Sequence, residues 1–343
     1  MIIITIPSLR TDMKMSLKFI TALYLLALSQ NSVANKHELS EPEYFEILHK
    51  CRPDSVISHL ILSDKPIGSG GEGSVYPVDL RANHDEENIA AAIKLKLDSL
   101  EPQLDSNGFK REYAAMCYLQ KRSFPFVPQT YAFLNFSTPI KGPAILMKRY
   151  GFDLSKVAGA LKDGDFKKLA ANIVDAVDQL HNHGIVHRDL KPENILYINQ
   201  DEQSIVLTDY RAARKIGTPE KDAWASVTPH YWMEQGSWKK KGVVDIQEDL
   251  FSLGLSLFYL RHGKHLQDEL SSPEWRASDI RASVFMIKDY KKYFSAENMD
   301  ESAKYEDFSN RYQDQLDQLF IGLAHPDPEK RPSLEELKDA LVP

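Results

Sequence analysis

The segment His187-Arg188-Asp189-Leu190-Lys191-Pro192-Glu193-Asn194 brings a carboxylate, an ammonium and an amide into one short loop. Asp189 can accept the proton of an attacking hydroxyl, and Lys191 can neutralise charge on a transferring phosphoryl group. Asn194 offers an amide oxygen to a metal ion, and Asp209, just past the strand-like Ser204 to Thr208, offers a second oxygen ligand of the kind magnesium prefers. Upstream, Gly68-Ser69-Gly70-Gly71-Glu72-Gly73-Ser74-Val75 lies between two predicted strands, where glycines let a hairpin approach phosphate oxygens with its backbone N–H groups. A dinucleotide site would need a helix directly after the glycines; a strand follows instead, which favours a flap over phosphates. Lys94 closes Ala91-Ala92-Ile93-Lys94, an ammonium among apolar neighbours that calls for an anion. Glu112, on the next predicted helix, is a candidate partner for it. A ligand-free glycine hairpin and two solvated charges are the alternatives at these positions.

These groups need a frame. Leu60 to Ile67, Ser74 to Val78 and Ala90 to Leu97 read as three strands, and Tyr131 to Phe136 and Ala144 to Met147 as two more, which predicts a small antiparallel sheet. Phe109, Tyr113, Met116 and Leu119 recur at helical spacing between them. Beyond Gly151 the pattern turns helical, over Phe166 to His181, Leu250 to Tyr259, Tyr312 to Leu323 and Leu334 to Leu341, with Pro332-Ser333 capping the last. A short helix is expected around Glu43 to Lys50, a solvated insertion over Lys288 to Asp307, and the start of the fold near Val56.

With 343 residues, the chain can bury a substantial core in two domains or one domain of two lobes. Hydrophobic residues at 43% and charged residues at 27% are ordinary for a globular protein and speak against a mostly disordered one. A net charge of −7 disfavours broad binding to nucleic acid. The two cysteines, Cys51 and Cys117, lack metal-ligand spacing; one disulfide and two buried thiols are both open. At the N-terminus, Lys18, the apolar run Phe19 to Leu28 and Ser32-Val33-Ala34 have the order of a secretory signal peptide cleaved after Ala34, with 35–55 as an extension. The run is well short of the roughly 20 residues a spanning helix needs, so no stable membrane span is expected. Secretion or export follows from this reading; a start at Met13 or Met15, or an uncleaved helix, leaves a cytoplasmic alternative.

From about Leu60 to Leu341 the chain resembles the eukaryotic-type protein kinase family, with the glycine-rich loop, the Ala-Ile-Lys strand, the H-R-D-L-K-P-E-N loop and the metal aspartate in family order. The resemblance implies a bilobal α+β fold: an N-lobe over 56–147, a hinge over 148–151 and a mainly α-helical C-lobe over 152–343. It implies ATP and Mg²⁺ as cofactors and a protein substrate with a Ser or Thr acceptor. By position, Lys94 contacts the α/β-phosphates and pairs with Glu112, Asp189 is the catalytic base, and Asn194 and Asp209 bind Mg²⁺. Val75, Ala92, Met147, Lys148, Tyr150, Asp153 and Leu196, with the glycine loop, are implied to line the nucleotide site. Asp249 matches the aspartate that anchors the catalytic loop from a buried helix, and Arg331 the structural arginine near the C-terminus. Lys191, with Thr228-Pro229, is similar to serine/threonine rather than tyrosine kinases. Arg188 suits a phosphate on Thr218, Ser226 or Thr228; Thr228 has a second possible role, orienting Asp189 and Lys191.

Two segments depart from the family pattern. Asp209-Tyr210-Arg211 stands where Asp-Phe-Gly is usual, replacing a flexible glycine by a long cation. Trp232-Met233-Glu234-Gln235 replaces Ala-Pro-Glu, with Glu234 retained as a possible partner for Arg331. A pseudokinase scaffold and a small-molecule phosphotransferase are the rival functions.

Overall fold

The computed structural model describes residues 2–5, 59–62, 65–70, 73–81, 89–95, 102–136, 142–200, 202–219, 242–266, 312–325 and 327–342. They fall into two compact units, Met1–Phe109 with Thr130–Arg149, and Lys110–Gln129 with Tyr150–Pro343. Most of the signal-like segment, the helix expected at Glu43 to Lys50, Cys51, Gly71, Glu72, Ser226, Thr228, Trp232 to Gln235 and Lys288 to Asp307 lie outside the described residues. Cys117 is buried.

The first unit is built on an antiparallel sheet: β1 (Ile2–Thr5), β2 (His59–Leu62), β3 (Gly68–Gly70), β4 (Gly73–Arg81), β5 (Ile89–Leu95), β6 (Thr130–Phe136) and β7 (Gly142–Lys148). Its order is β1-β2-β4-β5-β7-β6, with β3 on β4. Strand alternation gives β5 two different faces. Ala91, Ile93 and Leu95 join Tyr76, Val78, Ala144 and Leu146 in the core of the unit. Ala92 and Lys94 face the other way, sharing their face with cross-strand partners Met147, Ile145 and Val75.

The strand expected over Leu60 to Ile67 is interrupted. Pro66 has no N–H for a ladder, and Lys65, Pro66 and Ile67 are exposed between β2 and β3. The sheet also takes in Ile2–Thr5, paired with β2, a strand that sequence patterning left outside the fold.

The second unit is mainly helical. It comprises α2 (Asp163–Asn182), β8 (Ile185–Val186), β9 (Ile195–Asn199), β10 (Ser204–Leu207), β11 (Arg214–Lys215), α3 (Gln247–His262), α4 (Gln315–Leu323) and α5 (Leu334–Leu341). Most of α1 (Pro102–Lys121), which spans the boundary between the two units, also belongs to it. Residues from Glu248 to Phe258 are all buried, so α3 is the centre of its unit rather than a surface helix. It ends at Gly263, whose φ of 68° suits a left-handed cap. Helix α4 begins three residues later than the expected Tyr312, because Asp314 caps it by accepting from Leu316 N at 2.9 Å. Ser333 and Glu336 form a reciprocal capping box on α5. Among the described residues no helix is long and apolar enough to cross a membrane.

Gly254 sets how closely α3 and α4 pack. A Cβ there would overlap the Phe320 carbonyl oxygen and come within 2.8 Å of Leu323 Cβ. Gly254→Ala is therefore expected to lower stability by about 1–3 kcal/mol despite its better helix propensity, measurable by urea denaturation.

Candidate active site

The segment His187 to Asn194 sits on a buried floor. Asp249, fully buried on α3, accepts from the backbone N–H groups of His187 and Arg188, both at 2.7 Å, and lies 2.9 Å from His181 Nε2. Burial by itself would raise its pKa. The His181 hydrogen bond and charge, the His187 charge and the Arg188 N–H outweigh that and hold the carboxyl below its ordinary value. His187 Nε2 donates to Thr208 O at 2.9 Å, which ties the segment to the end of β10.

On this floor the loop assembles three functional groups. Asp189 Oδ2 accepts from Lys191 Nζ at 2.8 Å and from Asn194 Nδ2 at 2.9 Å, and Asn194 Nδ2 also reaches Asp189 O at 2.8 Å. Asn194 immediately precedes β9, whose Ile195 pairs with Leu207 of β10. Thr208 N and Oγ1 both donate to Asn194 O, at 2.8 and 3.1 Å. Asn194 and Asp209 thus flank the same open end of one hairpin. Because the Asn194 amide nitrogen is engaged by Asp189, its oxygen is the end left for a cation. An amide oxygen and a carboxylate are a donor set that fits magnesium.

Two non-glycine residues here hold left-handed backbone, Arg188 at φ 68° and Asp209 at φ 62°. Such conformations cost roughly 1–3 kcal/mol and persist only where the surroundings impose them. Tyr210 supplies part of that constraint: it is fully buried, with its ring 4.9 Å from that of His187. Its hydroxyl has no hydrogen-bond partner among the described residues, and burial, reinforced by Asp249, pushes its pKa well up.

The remaining predicted positions separate by unit. In the first, Gly70 pairs with Gly73 across the glycine hairpin, and Gly68 with Val75. Gly73 has φ 139°, and a Cβ there would meet Leu95 O at 2.9 Å, so the turn requires glycine. Ser69 and Ser74 hydroxyls are 3.0 Å apart. Lys94 is only 7% exposed, with Nζ 5.8 Å from the Phe109 ring centroid. Lys148 ends β7 on the surface. In the second unit, Asp153 and Leu196 form a β-bridge, and Tyr150 Oη accepts from Gln129 N at 2.9 Å. Glu112 is almost completely buried on α1. Lys94 and Glu112 fall in different units, so their pairing belongs with the proposed roles.

The model of the protein kinase domain matches residues 62–341. The chain belongs to the protein kinase family. Among curated proteins it is similar to a cyclin-dependent kinase 4 homolog of Caenorhabditis elegans, 25% identical over 209 residues, covering 59% of this chain and 50% of the relative. Protein kinase 2 of Dictyostelium discoideum is 34% identical over 168 residues, 48% of this chain and 33% of its own. A serine/threonine-protein kinase of Nostoc sp. is 26% identical over 231 residues, 61% and 38% respectively. The chain spans about half or less of the length of these relatives.

The α+β kinase fold expected from the motifs is therefore present. Arg331, expected as a structural arginine, donates from Nε to His325 O and from Nη1 to Gln247 O, both at 2.8 Å. One site residue escaped sequence reading: Glu248, whose Oε2 lies 2.8 Å from Arg188 Nε. The available signal was a second acid beside Asp249 at the start of an otherwise apolar helix.

Proposed function

We propose that this chain transfers the γ-phosphate of ATP to serine or threonine hydroxyls of protein substrates. The observation that carries the reading is the Asp189 carboxylate, oriented by Lys191 at 2.8 Å and Asn194 at 2.9 Å above a loop anchored to buried Asp249. In this role Asp189 takes the proton of the incoming hydroxyl. Lys191 remains beside it as a fixed cation for charge that develops on the phosphoryl group. The glycine hairpin offers backbone N–H groups to the phosphates, and Lys94 balances their charge with Glu112 as its partner. By family position, Ala92, Met147 and Lys148 of the first unit and Tyr150, Asp153 and Leu196 of the second are the proposed nucleotide contacts. Asn194 and Asp209 would hold Mg²⁺, which shields the phosphate charges and orients them.

Lys191 and Thr228 support the Ser/Thr class, as does the similarity to the serine/threonine-protein kinase of Nostoc. Phosphoamino-acid analysis of a mixed protein substrate labelled from Mg·[γ-³²P]ATP tests it. Phosphoserine and phosphothreonine are expected; label confined to phosphotyrosine would overturn this class.

The Lys18 to Ala34 pattern supports export, with action where nucleotide is supplied. Cleavage after Ala34 would remove β1 and leave β2 at the sheet edge. N-terminal sequencing of protein from the secretory route is expected to begin at Asn35, and an intact Met1 or Met15 start in the cytosol would refute export.

A further inference from the structure

We infer that Glu248 is a positioning residue for the catalytic loop, a built-in carboxylate that occupies Arg188 and makes phosphoryl transfer independent of activation-segment phosphorylation. This inference rests on the kinase reading above. The residue before the base carries a guanidinium suited to a phosphate, and Thr218, Ser226 and Thr228 could supply one. Arg188 already has a carboxylate partner. Its Nε is 2.8 Å from Glu248 Oε2, and the two side chains are 8% and 11% exposed.

Position gives this pair its consequence. Glu248 and Asp249 are consecutive on α3, and they hold Arg188 at both ends: Asp249 Oδ1 takes its backbone N–H, Glu248 its guanidinium. Arg188 keeps φ 68° between these two grips, and its conformation sets the direction in which the chain delivers Asp189. A phosphate on Thr218, Ser226 or Thr228 would supply negative charge to the same guanidinium only after modification. Glu248 supplies it from the most buried helix of the unit, permanently.

The pair is a poor device for stability alone. Burial pushes the Glu248 carboxyl up against the opposing pull of Arg188, and its Oε1 has no hydrogen-bond partner among the described residues. A buried ion pair with an unsatisfied oxygen is often no better than well-packed apolar residues. Its effect is better sought in where it puts Arg188. Thr218 donates its hydroxyl to Lys215 O at 2.7 Å.

The test compares initial rates of the full chain after phosphatase treatment, with mass spectrometry to confirm that no phosphate remains, and of a Thr218→Ala/Ser226→Ala variant. Both are expected to keep kcat within about twofold of untreated protein, whereas Glu248→Gln lowers kcat about tenfold or more and leaves KM for ATP within about threefold. Melting temperatures of Glu248→Gln, Arg188→Met and the double variant are expected to be non-additive, the double falling little below the worse single. A tenfold loss on dephosphorylation, or a wild-type kcat in Glu248→Gln, would overturn the inference. Wild type without Asp189-dependent transfer would instead overturn the kinase reading. The melting series separates the two, since additive losses refute the Arg188–Glu248 coupling whether or not the protein is active.

Discussion

Asp249→Ala is expected to lower the unfolding free energy by about 3–5 kcal/mol, the usual cost of removing one partner from a buried charged network. The carboxylate accepts the backbone N–H groups of His187 and Arg188 and contacts His181, all within its fully buried site. Alanine leaves those donors in place without an acceptor, at about 1–3 kcal/mol for each buried group left unsatisfied. Denaturant titration of wild type and variant checks the figure. Acid provides a second check with a defined sign. Because the folded state holds Asp249 below its ordinary value, its contribution is complete above the unfolded carboxylate pKa of about 3.9 and is lost as pH falls through the lower folded value. The gap between wild type and Asp249→Ala should therefore be constant near neutrality and narrow below about pH 4. A gap unchanged down to pH 2 would show that the carboxylate's charge contributes nothing.

Asp189→Asn is the second large effect, and it falls on rate instead of stability. An asparagine oxygen can still accept from Lys191 and Asn194 at the geometry the carboxylate uses, so the loop should keep its shape. What disappears is the ability to take a proton. Loss of a positioned general base lowers rates by about 10²–10⁴-fold, and a kcat near 10³-fold below wild type is expected, about 4 kcal/mol of barrier. KM for ATP should move little, because Asp189 is not assigned to the nucleotide. Steady-state kinetics on both proteins, with circular dichroism to confirm folding, decides this.

Much of this arrangement was legible in the chain, and the illegible parts share a cause. The catalytic loop could be read because Asp189, Lys191 and Asn194 are close in sequence, and local spacing fixes which groups meet. Helix α3 could be read because apolar residues recur at helical spacing from Leu250 to Tyr259. Glu248 was missed because its partner is sixty residues away, and acids at a helix start have the ordinary explanation of favouring the helix dipole. The break at Pro66 is hidden by the apolar run before it, although a missing N–H is decisive for a ladder. Strand β1 depends on a pairing with His59–Leu62 that no local pattern encodes. The left-handed backbone at Asp209 is likewise invisible in sequence, since it follows from Thr208 binding Asn194 O on one side and Tyr210 packing on His187 on the other.

In the proposed function, Asp189 drives transfer of the ATP γ-phosphate to protein hydroxyls. The most direct measurement is incorporation of label from Mg·[γ-³²P]ATP into a protein substrate by wild type and Asp189→Asn side by side. Acid-stable label on serine or threonine that is lost in the variant is the predicted result. Equal incorporation by both proteins, or none by folded, ATP-binding wild type, would contradict it.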